Sequence, residues 1–208
     1  MVQCCNQYSI LNIQHSAFVT EGMADLYLAL LHYPVYDKDR KVVTTAITNM
    51  DIHDIARSAR TYGVKRYFVV SPVRTLQALA TKILDHWQHG YGSVYNETRK
   101  DALALVTLSD DLNHTIQAIE QETGERPRLV ATSARSGEGR ITFVQMRRRV
   151  DEGGPPLLFL LGTGWGLTEE VLEQADDILE PIRGAGIYNH LSVRSAAAIL
   201  LDRLRGAR

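Results

Sequence analysis

LLFLLGTGWGL at residues 157–167, followed by ILEPIRGAGIYNHLSVRSAAAILLDRL at 178–204, decides the fold. The apolar run Leu157–Leu161 shows no alternation, which predicts a strand covered on both faces. The chain leaves it through Gly162, Thr163, Gly164, Trp165 and Gly166, where glycines permit positive φ and close backbone approach, and enters an acidic helix at 168–176. A dinucleotide fingerprint fits poorly: its third glycine would fall one position later, and six acids between 169 and 180 make a poor neighbour for pyrophosphate. The second stretch brings Tyr188, Asn189, His190, Ser192 and Arg194 to the start of a helix at 192–205 that is apolar nearly all round. Such a helix needs cover on two sides, which predicts a subunit interface beside the polar loop.

Working outward, similar apolar runs at Leu26–Leu31, Arg66–Val70, Ala104–Thr107, Arg128–Thr132 and Ile178–Leu179 alternate with helical patterns at 51–62, 74–89, 97–103, 110–123 and 141–151. Strand–helix alternation predicts an α/β domain, a mostly parallel sheet with helices on both faces. Asp51, Ser109 and Thr168 are the expected N-caps, and 32–48 reads as irregular. Ligands of such sheets bind at the carboxyl ends of the strands, which directs attention to the loops after Val70, Thr132, Leu161 and Leu179.

The composition sets the bounds. The 208 residues are 45% hydrophobic, with 23 Lys+Arg against 24 Asp+Glu, which excludes a disordered tail, a coiled coil and bulk electrostatic nucleic-acid binding. Local clusters survive that sum. Segment 126–149 holds seven arginines against Glu138 alone, and 57–66 adds four basic residues and no acid; such runs are either solvated faces or surfaces that suit a phosphate backbone with salt-sensitive affinity. Cys4 and Cys5 are the two cysteines, which leaves no disulfide framework elsewhere and points to the cytoplasm. Residues 1–22 match no strong period and no targeting pattern, so they read as a loosely ordered extension ahead of a domain at 23–208, with Met23 an alternative start. No apolar run is long enough to span a bilayer. The pair His86 and His89 lacks a third ligand, so no metal site is assigned. Tyr33, Tyr36 and Tyr95 with Asn96 are weaker candidates for base contacts.

The two opening stretches resemble the C-terminal motifs of the SPOUT class of S-adenosylmethionine-dependent RNA methyltransferases, and NMDIHDIARSARTYGVKRYFVVSP at 49–72 is similar to that class's first motif. From about 25 to 206 the chain resembles a bacterial subgroup related to the C-terminal domain of tRNA guanine-N1 methyltransferases. The resemblance implies a deep C-terminal trefoil knot, a homodimer, S-adenosylmethionine as cofactor and tRNA or rRNA as partner. It implies cofactor binding by Thr132, Ser133 and Ala134, by Gly162 to Gly166, and by Ile187, Tyr188, Asn189, Leu191 and Ser192. His190 is the expected general base, since histidine changes charge nearest neutral pH, and Arg57 is expected to hold the acceptor's phosphate or ribose. In two places the chain departs from its relatives. No acid lies between Gly162 and Leu167, and His190 stands where the family usually has asparagine. A non-catalytic RNA- or cofactor-binding protein on the same scaffold is the alternative reading.

Overall fold

The computed structural model describes residues 22–207, so the expectations for residues 1–22, for Met23 as a start and for the two cysteines lie largely outside it. In chain order the elements are β1 (Leu26–Leu31), β2 (Val35–Tyr36), β3 (Val42–Val43), α1 (Asn49–Thr61), β4 (Arg66–Val70), α2 (Arg74–Gln88), α3 (Gly92–Tyr95), α4 (Glu97–Leu103), β5 (Val106–Ser109), α5 (Leu112–Thr123), β6 (Arg128–Ala131), α6 (Phe143–Glu152), β7 (Leu157–Gly162), α7 (Glu169–Gln174), β8 (Asp177–Ile178) and α8 (Val193–Arg205). Six strands form one sheet in the order β5-β4-β1-β7-β6-β8, every neighbouring pair parallel.

The unbroken apolar runs have their explanation in the two cores. Leu26, Leu28, Leu30, Phe159 and Leu161 face α1, α6 and α8, while Tyr27, Ala29, Leu31, Leu158 and Leu160 face α5 and α7. Both faces of β1 and β7 are therefore dry, as their sequence requires. Ala197, Leu200, Leu201 and Leu204 of α8 are buried within the protomer, each leucine contributing about 1.5–3 kcal/mol. The expectation that α8 needs a second chain to cover it is thus met in large part by α1 and α6.

Three local expectations need correction. Helix α1 begins two residues early: Thr48 is its N-cap, its hydroxyl accepting from Asp51 N at 3.1 Å, and Asp51 lies inside the first turn. Ser109 ends β5, where its carbonyl accepts from Ser71 N, so Asp111 caps α5. Strand β5 starts two residues later than its apolar run, because Ala104 N and Leu105 N still close the last turn of α4 on Lys100 O and Ala102 O, and the register places Val106 opposite Tyr67. Thr168 does occupy the N-cap of α7, though its side chain makes no capping bond.

Candidate active site

The carboxyl ends of β6, β7 and β8 open into a cleft of about 840 Å³, a size suited to a nucleoside-sized ligand. Thr132, Ser133 and Ala134 line it after β6, Gly162 to Gly166 after β7, and Asn189, His190, Leu191 and Ser192 ahead of α8. Asn189 Nδ2 donates to Ala134 O at 2.6 Å, tying the third loop to the first. Ser192 caps α8 by accepting from Ser195 N. Two expected cofactor residues do not line the cleft: Ile187 and Tyr188 point to solvent, Tyr188 edge-on to His190. Arg57 does not line it either. It sits on α1 in a separate shallow depression with Asp54, Ser58, Thr61, Tyr62 and Ala198.

The stretch 32–48, expected to be irregular, forms a strap over the glycine loop. Strands β2 and β3 pair antiparallel, and Asp37 closes their turn by accepting from Asp39 N and Lys41 N. Tyr36 N donates to Gly166 O at 2.9 Å and Trp165 N donates to Tyr36 O at 2.8 Å, so the strap and the loop pair backbone to backbone. This explains Gly164, whose φ is +57° and whose Cβ, were there one, would lie 2.8 Å from Tyr36 O.

Behind the strap lies a hydrogen-bond chain that sequence reasoning missed. His32, fully buried, places Nδ1 3.0 Å from Thr45 Oγ1, which is 2.5 Å from Thr163 Oγ1, and Thr163 Oγ1 donates to Leu31 O at 2.9 Å. Among the described residues His32 Nε2 has no partner, an arrangement that costs about 1–3 kcal/mol. Burial pushes the imidazole down to about 4. An unfolded chain takes up a proton near pH 6.5 that the folded chain refuses until about pH 4, so stability is complete above that window and falls as pH drops through it, by about 3 kcal/mol in all. Urea unfolding of the wild type and His32→Asn between pH 7 and 4 checks this: the acid-dependent loss should be much smaller in the variant.

The opposite wall carries an ion pair. Asp51, its side chain 8% exposed, accepts from Arg194 Nη1 at 2.9 Å, and Arg194 Nε also lies 3.4 Å from Asp54. This pair locks the first turn of α1 to the first turn of α8. Arg194→Ala leaves the Asp51 carboxylate with Thr48 as its partner, so it should lower stability by about 1–3 kcal/mol, discounted for the partial exposure of the guanidinium. A chemical-denaturation midpoint equal to wild type would contradict that assignment. Thr45, Asp51, Glu180 and Arg194 all line the cleft. Thr45 lies in a stretch that reads as irregular, Asp51 reads as a cap and Glu180 as one of an acidic run, whereas Arg194 belongs to the polar cluster ahead of α8.

The basic segments look different in space. Asp177 is shared by Arg128 at 2.6 Å and by Arg149, and both guanidiniums hold its carboxyl below the ordinary range against the opposing effect of burial. Arg147 donates to Arg203 O and Gly206 O, and Arg140 to Leu179 O. Arg60, Lys65 and Arg66 pair with Asp101, Asp25 and Glu122. Part of the expected phosphate-binding charge is therefore paired within the fold, and in these two segments Arg57, Arg126, Arg135, Arg140 and Arg148 have no ion pair among the described residues. His86 packs on Trp87 and His89 pairs with Asp85.

The residues present suit S-adenosylmethionine. Glycine backbone can pass close to an adenosine, and the hydroxyls of Thr45, Thr132, Thr163 and Ser192 border the same space. A protein of Aquifex aeolicus is 40% identical over 195 residues, 94% of each chain. The tRNA (guanine-N(1)-)-methyltransferase of Oleidesulfovibrio alaskensis is 46% identical over 182 residues, 88% of this chain but 42% of its own length. The chain thus spans less than half of that relative. Among solved structures, the SpoU methyltransferase AviRb from Streptomyces viridochromogenes in complex with AdoMet superposes with a TM-score of 0.55 at 17% identity, covering 88% of this chain and 57% of that one, which establishes the shared fold. The sequence model of a family described as SAM-dependent RNA methyltransferase matches residues 25–206, and the chain belongs to that family of S-adenosylmethionine-dependent enzymes.

Proposed function

We propose that the chain methylates a nucleotide of tRNA or rRNA within the cleft at the carboxyl ends of β6, β7 and β8. The observation that carries this reading is the convergence of three loops, one of them a glycine loop held open by a backbone strap, on a single nucleoside-sized space. S-adenosylmethionine supplies the methyl group. The chain's task is to hold the acceptor in line and to take its proton, which we assign to a ring nitrogen of His190.

The active form we infer is a cytoplasmic homodimer. Met50, Trp165, Tyr188 and Leu191 are exposed on segments around the cleft and the N-termini of α1 and α8, a surface suited to a second copy or to bases. In this arrangement Arg57, on the outer face of α1 beside Ala198 of α8, contacts the acceptor phosphate from the partner protomer. We also propose a deep trefoil knot over the C-terminal segment. Supporting it, β8 lies at the sheet edge beyond β6, whereas α8 returns to pack on α1 and α6 with β7 beneath. Among the described residues no helix is long and apolar enough to cross a membrane.

Incubation with methyl-labelled S-adenosylmethionine and total RNA from a strain lacking the gene tests the reading. Label in RNA supports it, and cofactor binding without transfer supports the non-catalytic alternative. With Arg57, Arg126, Arg135, Arg140 and Arg148 free of an ion pair among the described residues, binding should show a log–log salt slope of about −3 to −5, smaller in magnitude by about 2 in an Arg135→Ala, Arg148→Ala double variant. A slope unaltered by that variant would remove these arginines from the RNA surface.

A further inference from the structure

We propose that His32 and Thr45 form, with Thr163, an acceptor-only corner of the cleft that receives the ammonium group of the cofactor's amino-acid tail. This rests on the S-adenosylmethionine reading and assigns a contact to Thr45 and a positioning role to His32.

The proton positions follow by elimination. Thr163 Oγ1 donates to Leu31 O, so its one proton is committed to the sheet. In the 2.5 Å contact between Thr45 and Thr163 the donor must then be Thr45. With that proton used, Thr45 cannot donate to His32, and His32 Nδ1 must carry the hydrogen in their 3.0 Å bond. The imidazole is neutral, because burial pushes it down to about 4, so Nε2 is left as a bare lone pair without a partner among the described residues. The Nδ1–H bond to Thr45 fixes the tautomer, and Nε2 is the nitrogen left over.

The consequence is a polarity imposed from the core outward. Both threonines line the cleft, and both hydroxyl protons are committed to partners within the protein, so the oxygens offer only lone pairs to a ligand. Such a corner accepts N–H donors, a positive group above all, and repels a carboxylate. The two carboxylates that line the cleft have other partners: Glu180 accepts from Phe143 N at 2.7 Å and Asp51 holds Arg194 at 2.9 Å. The threonine pair therefore offers uncommitted lone pairs to an ammonium.

Calorimetric titration of wild type, Thr45→Val, His32→Asn and His32→Leu with S-adenosylhomocysteine and with methylthioadenosine, which lacks the amino-acid tail, tests the proposal. Thr45→Val should weaken S-adenosylhomocysteine at least tenfold and leave methylthioadenosine within twofold. His32→Leu should show the same selective loss, and His32→Asn, which keeps an N–H toward Thr45, should restore most of it. Equal weakening of both ligands, or none, overturns the proposal, and Thr45→Val gives that answer even if His32→Leu does not fold. A wild-type protein that binds neither ligand overturns the cofactor reading itself, and the proposal with it.

Discussion

Gly164→Ala is expected to lower stability by about 2–4 kcal/mol and to abolish measurable binding of S-adenosylmethionine. Two independent effects add. At a φ of +57° an alanine loses about 1 kcal/mol of backbone preference relative to glycine. Its Cβ would also stand 2.8 Å from Tyr36 O, a backbone atom that cannot swing aside. Relief requires the strap to lift, which breaks the bonds from Trp165 N to Tyr36 O and from Tyr36 N to Gly166 O. Overpacking of this kind costs about 1–3 kcal/mol, and for a domain of this size the total corresponds to a fall in Tm of about 5–12 °C. Loosening the strap also moves Thr45 away from Thr163, so the cofactor site suffers along with the fold. Gly184→Ala is the matched control: that residue has open space around its Cβ position and no positive φ, and should change neither quantity. Thermal unfolding and calorimetric titration of the two variants check this, and a wild-type Tm in Gly164→Ala would mean that the strap is not held by the loop.

The contrast between what was and was not legible beforehand has a physical origin. Strands β1, β4 and β7 were readable almost to the residue, since burial on both faces forces unbroken apolar runs, and the three loops could then be located at their carboxyl ends. The strap was not readable. Strands β2 and β3 are two residues each, below any periodicity, and their partner is the backbone of a loop more than a hundred residues away. Only the turn residues Asp37 and Asp39 between β-branched or aromatic pairs hinted at a hairpin. Charge failed for the same reason. Counting along the chain makes 57–66 and 126–149 look basic and 169–180 acidic, yet folding brings Arg128 and Arg149 onto Asp177, Arg66 onto Glu122 and Arg40 onto Glu169. Local sums describe a surface only where the neutralising partner is also local. Partnerships made in the tertiary fold, Arg194 with Asp51 and His32 with Thr45, carry no mark in a one-dimensional reading even where a member such as Arg194 or Asp51 does.

His190→Ala is expected to reduce methyl transfer by 10²- to 10⁴-fold while leaving cofactor affinity within about threefold, the range typical of removing a general base. The cleft supplies the argument. Its lining includes three side chains with a basic atom, Asp51, Glu180 and His190. Asp51 is engaged by Arg194 and by the Thr48 hydroxyl at 2.6 Å, and Glu180 Oε1 by the backbone of Phe143, so both carboxylates serve the N-termini of α1 and α6. His190 has an aromatic edge contact with Tyr188 and no ion pair among the described residues, and it borders the cleft from a loop fixed at Asn189. It is the one member of the three that ties down no helix N-terminus. A base and a mere loop-orderer differ in kinetics. Loss of a base lowers kcat with KM for cofactor unchanged and removes the acidic limb of the pH–rate profile, whereas loss of loop order raises KM and keeps the limb. His190→Gln, which retains hydrogen bonding but cannot serve as a base at neutral pH, should behave like His190→Ala. Wild-type turnover by either variant with the cognate RNA would exclude His190 from proton transfer and return the assignment to the carboxylates.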